Sequence, residues 1–158
     1  MRQRSWVFSL PAEPMTVWDL LVRYENDIAL SSPGSFAFLE HGDPGVPGAV
    51  YSVRVGWEGL QSSFRVRLAA ADPGVSMRWY SKTGPSSGQA LYELSADEYG
   101  GTHMELHLSL ALAGAFGALE PFGWALLTKA ADSFVANLQK HTFDEQDAAD
   151  AAPGGAAG

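Results

Sequence analysis

The sequence predicts an α+β domain in which a curved antiparallel sheet of about six or seven strands wraps around a long C-terminal helix. Three observations carry this prediction. Strand-like segments follow one another from Gly48 to Ala113, an amphipathic segment runs from Pro121 to about His141, and a strand and a helix precede both. Strands joined by short turns are typical of an antiparallel sheet, and a helix of about twenty residues spans about 30 Å, enough to cross such a sheet.

The N-terminal region predicts a strand, a helix and a second strand in that order. Residues 5–10 alternate between large apolar side chains and smaller ones, as a half-buried strand does. A proline in the first turn and apolar residues at helical spacing predict a helix over 14–24. The stretch 25–35 leaves room only for a short second helix that ends before Pro33, and 36–41 predicts the next strand.

The central region predicts a meander of further strands. Its turns contain Gly, Pro, Asp or Ser, the residues that tight turns favour. The loop at 42–48 is rich in glycine and proline and separates this meander from the strand before it. The strands are predicted at 49–57, 61–71, 75–82, 89–97 and 102–113.

The C-terminal region predicts one long helix and then a tail. Apolar residues recur on one face of the helix, with charged and polar residues opposite. The apolar stripe comprises Leu127, Ala131, Phe134 and Leu138. Residues 144–158 are acidic and rich in Ala and Gly, a composition that predicts disorder, so we divide the chain into a domain at 1–143 and a tail at 144–158.

Composition indicates one globular domain and excludes several classes of partner. Of the residues, 46% are apolar and 18% are charged, the balance of a folded domain. The net charge of −8 disfavours nucleic acid and anionic membranes as partners, because both require a basic surface. There is no apolar run long enough to insert into a membrane and no cysteine. We expect a cytoplasmic protein.

Three short segments resemble a known superfamily. Residues 11–21 are similar to the "P-A-x-x-V-W-D" start of the first helix in the polyketide cyclase/dehydrase branch of the START-like superfamily, also called SRPBCC. Residues 83–85 and 100–104 look like hairpin segments of its aromatase/cyclases. The resemblance implies the helix-grip fold, with a deep apolar cavity between the sheet and the C-terminal helix. It also implies a hydrophobic ligand that is polyketide-like or lipid-like.

Alternation along each strand predicts which side chains face that cavity. Taking the apolar member of each pair as inward gives a wall of aromatic and aliphatic groups, to which the last helix adds its own apolar stripe. The predicted ligand-binding residues are Tyr51, Trp57, Phe64, Met77, Trp79, Tyr92, Met104, Leu106, Leu127 and Phe134.

The same alternation turns His103, Glu105 and His107 outward. Turning this trio inward would expose four apolar side chains, each worth about 1.5–3 kcal/mol when buried. The trio also lacks the H-E-x-x-H spacing of a zinc protease. We therefore predict no metal site there, and the absence of a glycine-rich phosphate loop predicts no nucleotide cofactor.

Candidates for catalysis are few. The aromatase/cyclases place an arginine in the cavity wall, and in this chain Arg65 or Arg67 matches it only in a shifted register. Tyr51 or Tyr92 would then move a proton. The acids Glu25, Asp27, Glu40 and Glu93 are scattered, and surface solvation is the more frequent fate of such side chains.

Two functions follow. The first is a binding or sequestering protein for an apolar small molecule, favoured by the apolar wall. The second is a polyketide cyclase or aromatase that uses the same cavity. A charged side chain in the cavity would favour the second.

Overall fold

The computed structural model describes residues 1–57 and 60–151. At a few of these positions it describes the backbone alone: Trp57, Leu60, Gln61, Ser62, Thr83, Ala115, Phe116, Asp150 and Ala151. The elements are β1 (Arg2–Leu10), α1 (Pro14–Leu21), α2 (Tyr24–Ser31), β2 (Phe36–His41), β3 (Val50–Trp57), β4 (Leu60–Asp72), β5 (Ser76–Thr83), β6 (Ser86–Ala96), β7 (Thr102–Leu112), a 3₁₀ helix (Gly114–Leu119) and α3 (Glu120–Ala151).

The seven strands in the described residues form one antiparallel sheet in the order β1-β7-β6-β5-β4-β3-β2. Sequential strands from β2 to β7 are neighbours, so short turns suffice to connect them, and β1 joins the far edge by pairing with β7. The predicted meander and the predicted α+β class are confirmed, whereas the pairing of β1 with β7 was not predicted.

One face of the sheet is buried and the other is largely exposed. On β3, Tyr51, Val53 and Val55 are buried, whereas Arg54 between them is exposed. The same alternation continues through β5 to β7, as the period of two requires. The predicted inward face is therefore the observed core face wherever side chains are described.

Helix α3 packs on this buried face. Ala131, Phe134 and Leu138 from its predicted stripe are buried, and Leu127 is partly buried. The helix extends to Ala151, although the sequence predicted an unstructured tail from position 144. It is longer than predicted because an acidic, alanine-rich segment can continue an existing helix without burying anything, since Ala is the strongest helix former. Residues 144–149 are exposed, and 152–158 lie outside the described residues.

The first helical segment divides into two short helices. The sequence predicted one helix over 14–24, but α1 ends at Leu21 because Arg23 adopts an extended backbone, with φ −91° and ψ 104°. The Asn26 side chain donates a hydrogen bond of 2.9 Å to the Leu20 carbonyl, which the end of α1 leaves without a helical partner. The predicted short second helix that ends before Pro33 is confirmed as α2.

The end of β1 and the turn before β7 approach closely at Gly101. A Cβ atom at this position would lie 2.3 Å from the Leu10 carbonyl oxygen, closer than any real side chain permits. Thr102 next to it donates a hydrogen bond of 2.7 Å to the Ala12 carbonyl. Glycine is thus required where the end of β1 crosses the turn before β7.

No helix in the described ranges has the length and apolar character needed to span a membrane.

Candidate functional site

A cavity of about 420 Å³ lies between the buried face of the sheet and α3. This volume falls within the range of about 300–1,000 Å³ that small-molecule sites occupy. Helix α2 closes one side of it with Ile28 and Ser31, and the N-terminal half of α3 contributes Leu126 and Ala130.

Six of the predicted ligand-binding residues line this cavity: Phe64, Trp79, Tyr92, Leu106, Leu127 and Phe134. Tyr51, Met77 and Met104 are fully buried but belong to the packed core beside it. The side chain of Trp57 lies outside the described part of the structure. Alternation predicts the face on which a residue lies, whereas its depth beneath that face depends on how α2 and α3 cover the sheet.

Aromatic rings form much of the cavity wall and stiffen it. The Trp79 ring packs against Tyr24, with 4.9 Å between centroids, and against Tyr51 at 5.9 Å in an edge-to-face arrangement. Tyr92 from β6 packs on Phe134 from α3 at 5.8 Å. Such ring pairs contribute about 0.5–1.5 kcal/mol beyond their buried area. The wall is therefore held from both the sheet and the helices.

A carboxyl group also lines the cavity, and sequence reasoning had assigned it to the surface. Asp27 on α2 has an exposed fraction of only 3%. The Tyr92 hydroxyl donates a short hydrogen bond to Asp27 Oδ2, and the Ser31 hydroxyl lies 3.3 Å from Asp27 Oδ1. Among the described residues that line the cavity there is no other carboxyl group and no Lys, Arg or His.

The position of Asp27 changes its acidity. Burial raises the pKa of Asp27 from its ordinary value of 3.8 to about 7, although the hydrogen bonds from Tyr92 and Ser31 act in the opposite direction. Removing the carboxylate from water costs more than two hydrogen bonds return. Asp27 therefore changes its charge near neutral pH.

The pKa values of three neighbouring phenols are also raised, which disfavours their anionic forms. Burial, followed by the negative charge of Asp27, raises the pKa of Tyr24 and the pKa of Tyr92 far above the ordinary value. Burial, followed by the charge of Glu25, also raises the pKa of Tyr51. These three phenols stay protonated, so Tyr92 acts as a hydrogen-bond donor.

Two predicted catalytic candidates lie on the wrong face. Arg65 is exposed and makes a two-pronged ion pair with Glu40, with Nη2–Oε1 at 2.9 Å and Nε–Oε2 at 3.0 Å. Arg67 is exposed and stacks over the ring of Tyr80. The shifted register that would turn them inward does not occur, because β4 keeps Val66 in the core between them. Of the four candidates, Tyr92 lines the cavity and Tyr51 is buried beside it.

The outer face carries a group of titratable side chains on β6 and β7, which we call the outer-face cluster: Glu93, Glu105 and His107. His107 Nε2 lies 3.0 Å from Glu93 Oε1 and 3.7 Å from Glu105 Oε2. His103, the remaining member of the predicted trio, lies 3.9 Å from Glu105. The ligand atoms of the outer-face cluster lie within 4.8 Å of one another. The outward orientation of the trio is as predicted, and the absence of a metal stays a prediction.

Solved structures share this arrangement of an antiparallel sheet and a long C-terminal helix. Zhui aromatase/cyclase from Streptomyces sp. R1128 superposes with a TM-score of 0.73 at 12% sequence identity, over 89% of this chain and 93% of that one. The chain has the helix-grip fold. TTHA0849 from Thermus thermophilus gives a TM-score of 0.72 at 14% identity, over 91% of this chain and 99% of that chain.

A plant protein shares the helix-grip fold as well. Ginseng major latex-like protein 151 from Panax ginseng gives a TM-score of 0.64 at 10% identity, over 89% of this chain and 97% of that one. No protein-family model matches the sequence, and neither does any curated protein. At these identities the likeness concerns the fold, so the chemistry of the cavity must be argued from its own residues.

The signal that would have revealed Asp27 is its spacing. Tyr24, Asp27, Ile28 and Ser31 stand at positions i, i+3, i+4 and i+7, which share one face of a helix. Tyr24 and Ile28 are the apolar residues of that face, so Asp27 is carried inward with them. The cavity thus combines an apolar wall with one hydrogen-bonded acid.

Proposed function

We propose that this protein binds an apolar small molecule, polyketide-like or lipid-like, in the cavity between the sheet and α3. In this proposal it acts in the cytoplasm as a binding or sequestering protein. The single observation that carries the proposal is a cavity of about 420 Å³ walled by the aromatic and aliphatic side chains of β4 to β7, α2 and α3. Pockets of this size and composition bury most of the surface of a bound small molecule.

Thermal stability in the presence of flat aromatic compounds tests the proposal. A ligand that binds only the folded protein adds about 2.7 kcal/mol to the free energy of unfolding at a hundredfold excess over Kd. Native mass spectrometry of the purified protein would identify any ligand that is retained from the cell. Absence of both a retained ligand and a stability increase across an aromatic library would refute the proposal.

Two neighbouring residues of β5 supply the matched variants. Trp79 lines the cavity, whereas Arg78 beside it is exposed on the outer face. Trp79→Ala should lose most of the ligand-induced stabilisation and Arg78→Ala should keep it, once circular dichroism shows that both fold. The check on folding is needed because removing a buried aromatic side chain costs about 3–5 kcal/mol. Equal loss in both variants would place the ligand outside the cavity.

A second function, a polyketide cyclase or aromatase, is favoured by the acid in the cavity and by the description of Zhui as an aromatase/cyclase. Asp27 with a pKa of about 7 can accept a proton near neutral pH, and the Tyr92 hydroxyl, which donates its hydrogen to Asp27 Oδ2, holds the carboxylate in position. In this reaction the Asp27 carboxylate takes a proton from a methylene carbon between two carbonyl groups. The resulting carbanion forms a carbon–carbon bond to a second carbonyl carbon, whose oxygen takes the proton back from Asp27.

Turnover of a soluble poly-β-ketone mimic distinguishes the two functions. If the protein is a cyclase, Asp27→Asn should lower the rate of ring formation by at least about a hundredfold, because general base catalysis contributes about 10²–10⁴. Arg65→Ala should leave the rate unchanged, since Arg65 pairs with Glu40 on the outer face. Binding without any acceleration of ring formation would leave the binding function alone.

A further inference from the structure

The acid on α2 gives the cavity a chemical preference that its shape alone would not have. We propose that Asp27 makes the cavity selective for apolar ligands that carry a hydrogen-bond donor, such as a hydroxyl group, and unfavourable for ligands that carry a carboxylate. This inference rests on the proposed binding function and adds the specificity-determining residue and the class of ligand to it.

The first observation that supports this selectivity is that Asp27 has unfilled hydrogen-bond acceptor positions. An ionised carboxylate offers about four acceptor positions. Tyr92 fills one on Oδ2. The Ser31 hydroxyl has one hydrogen, and its oxygen lies 3.0 Å from the Asp27 backbone oxygen and 3.3 Å from Oδ1, so Oδ1 shares that hydrogen with the backbone. A buried carboxylate with unfilled acceptor positions is stabilised by a further hydrogen-bond donor, and a ligand in the cavity can supply that donor.

The second observation that supports this selectivity is the charge of the residues around Asp27. On α2, Tyr24 and Ser31 face Asp27, and on β6 Tyr92 does so. Helix α3 presents Ala130, Ala131 and Phe134 to the cavity, and β7 presents leucines and Ser109. The lining residues that are described include no cation that could neutralise a ligand carboxylate. An anionic ligand beside ionised Asp27 would therefore meet uncompensated like charge in an apolar environment.

The acidity of Asp27 makes this selectivity depend on pH. With a pKa near 7, Asp27 is largely protonated at pH 6 and largely ionised at pH 8. A carboxylate ligand that binds only the protonated form should lose affinity about tenfold for each pH unit above the pKa of Asp27. A ligand ammonium should gain affinity over the same range, and a hydroxyl ligand should change little because it can donate to the ionised form and accept from the protonated form.

Matched naphthalene probes test the proposal. The four probes share one ring system: 2-methylnaphthalene, 2-naphthylmethanol, 2-naphthoate and 2-naphthylmethylammonium. Quenching of tryptophan fluorescence gives Kd for each at pH 6, 7 and 8. We expect 2-naphthylmethanol to bind at least fivefold more tightly than 2-naphthoate at pH 8. We also expect the naphthoate and ammonium profiles to have opposite slopes, each about fivefold to tenfold between pH 6 and pH 8.

Asp27→Asn should flatten both charged profiles and improve naphthoate binding at pH 8 by at least fivefold. The matched control is Asp19→Asn, which removes the same charge from an exposed position on α1 and should reproduce the wild-type profiles. If Asp27→Asn does not fold, the opposite slopes of the two charged probes in the wild-type protein still test the proposal.

The outcomes separate the two levels of inference. Binding of all four probes with pH-independent and similar affinities would overturn the role of Asp27 while leaving the binding function intact. Opposite slopes that persist in Asp27→Asn would overturn it as well, by assigning the pH dependence to another group. Failure of every probe, including 2-methylnaphthalene, to bind at its solubility limit would count against both the selectivity and the apolar binding site.

Discussion

The buried acid should make the stability of the protein fall as pH rises, and Asp27→Asn should abolish that part of the dependence. Folding raises the pKa of Asp27 from 3.8 to about 7. Below pH 3.8 the acid is protonated in both states and costs nothing. Between these two pKa values the unfolded chain releases the proton while the folded protein keeps it, so stability decreases with pH and reaches a constant penalty above about pH 7.

The magnitude follows from the distance between the two pKa values. At 1.36 kcal/mol for each pKa unit, a separation of about three units gives a full penalty of about 4 kcal/mol. About 2–3 kcal/mol of this develops between pH 5 and pH 8, where the experiment is practical. An asparagine has nearly the shape of the protonated acid and no titration, so the variant should be increasingly more stable than the wild type over this range.

Urea unfolding at pH 5, 6, 7 and 8 measures this difference directly. The free energy of unfolding is extrapolated to water for the wild type and Asp27→Asn, and their difference removes the contributions of all other titrating groups. Asp19→Asn serves as the control, because Asp19 is exposed and its replacement should give a flat difference. Parallel profiles for the wild type and Asp27→Asn would refute the reasoning, since they would mean that the pKa of Asp27 is the same in both states.

Three further outcomes are expected. Gly101→Ala should lower the free energy of unfolding in urea by about 1–3 kcal/mol, because the added Cβ would lie 2.3 Å from the Leu10 carbonyl oxygen. Gly117→Ala is the control and should be neutral, because the nearest atom to its Cβ would be 3.6 Å away. Equal effects of the two substitutions would contradict the close approach at Gly101. Truncation after Phe143 should change Tm by less than about 2 °C, because residues 144–149 are exposed, and a fall of several degrees would show that the tail docks. Chelation with EDTA should leave Tm unchanged, because the outer-face cluster lies away from the core; stoichiometric zinc in the purified protein would contradict this.

The strand faces could be predicted because a one-residue slip would reverse them all at once. Moving the β3 register by one residue would expose Tyr51, Val53 and Val55 together, and the burial of these side chains excludes that alternative. The long helix was predictable for a similar reason, since its apolar stripe repeats over several turns. Its end was not, because an exposed terminus has no apolar pattern to mark it.

The acid in the cavity is marked only by the helical face that Tyr24, Asp27, Ile28 and Ser31 share, a pattern too short to outweigh the usual surface location of aspartate. Most aspartates lie on surfaces, and α2 is too short, at eight residues, for its apolar face to dominate the pattern. What places Asp27 inside is tertiary: α2 lies over the sheet where Tyr92 of β6 can reach it. For Arg65 and Arg67, by contrast, alternation alone correctly predicted an outward orientation, whereas the resemblance to the aromatase/cyclases suggested an inward one.

Helix α2 contributes part of the cavity lining without belonging to the sheet. It forms no part of the sheet, packs against α3 and β2, and is tied to α3 by a hydrogen bond of 2.8 Å from the Asn137 side chain to the Leu30 carbonyl. Exchanging side chains on its inner face therefore leaves every strand pairing untouched. The helix therefore supplies a part of the cavity wall that can be varied by itself. Positions 24, 27, 28 and 31 form a small set of targets for the directed evolution of new ligand preferences.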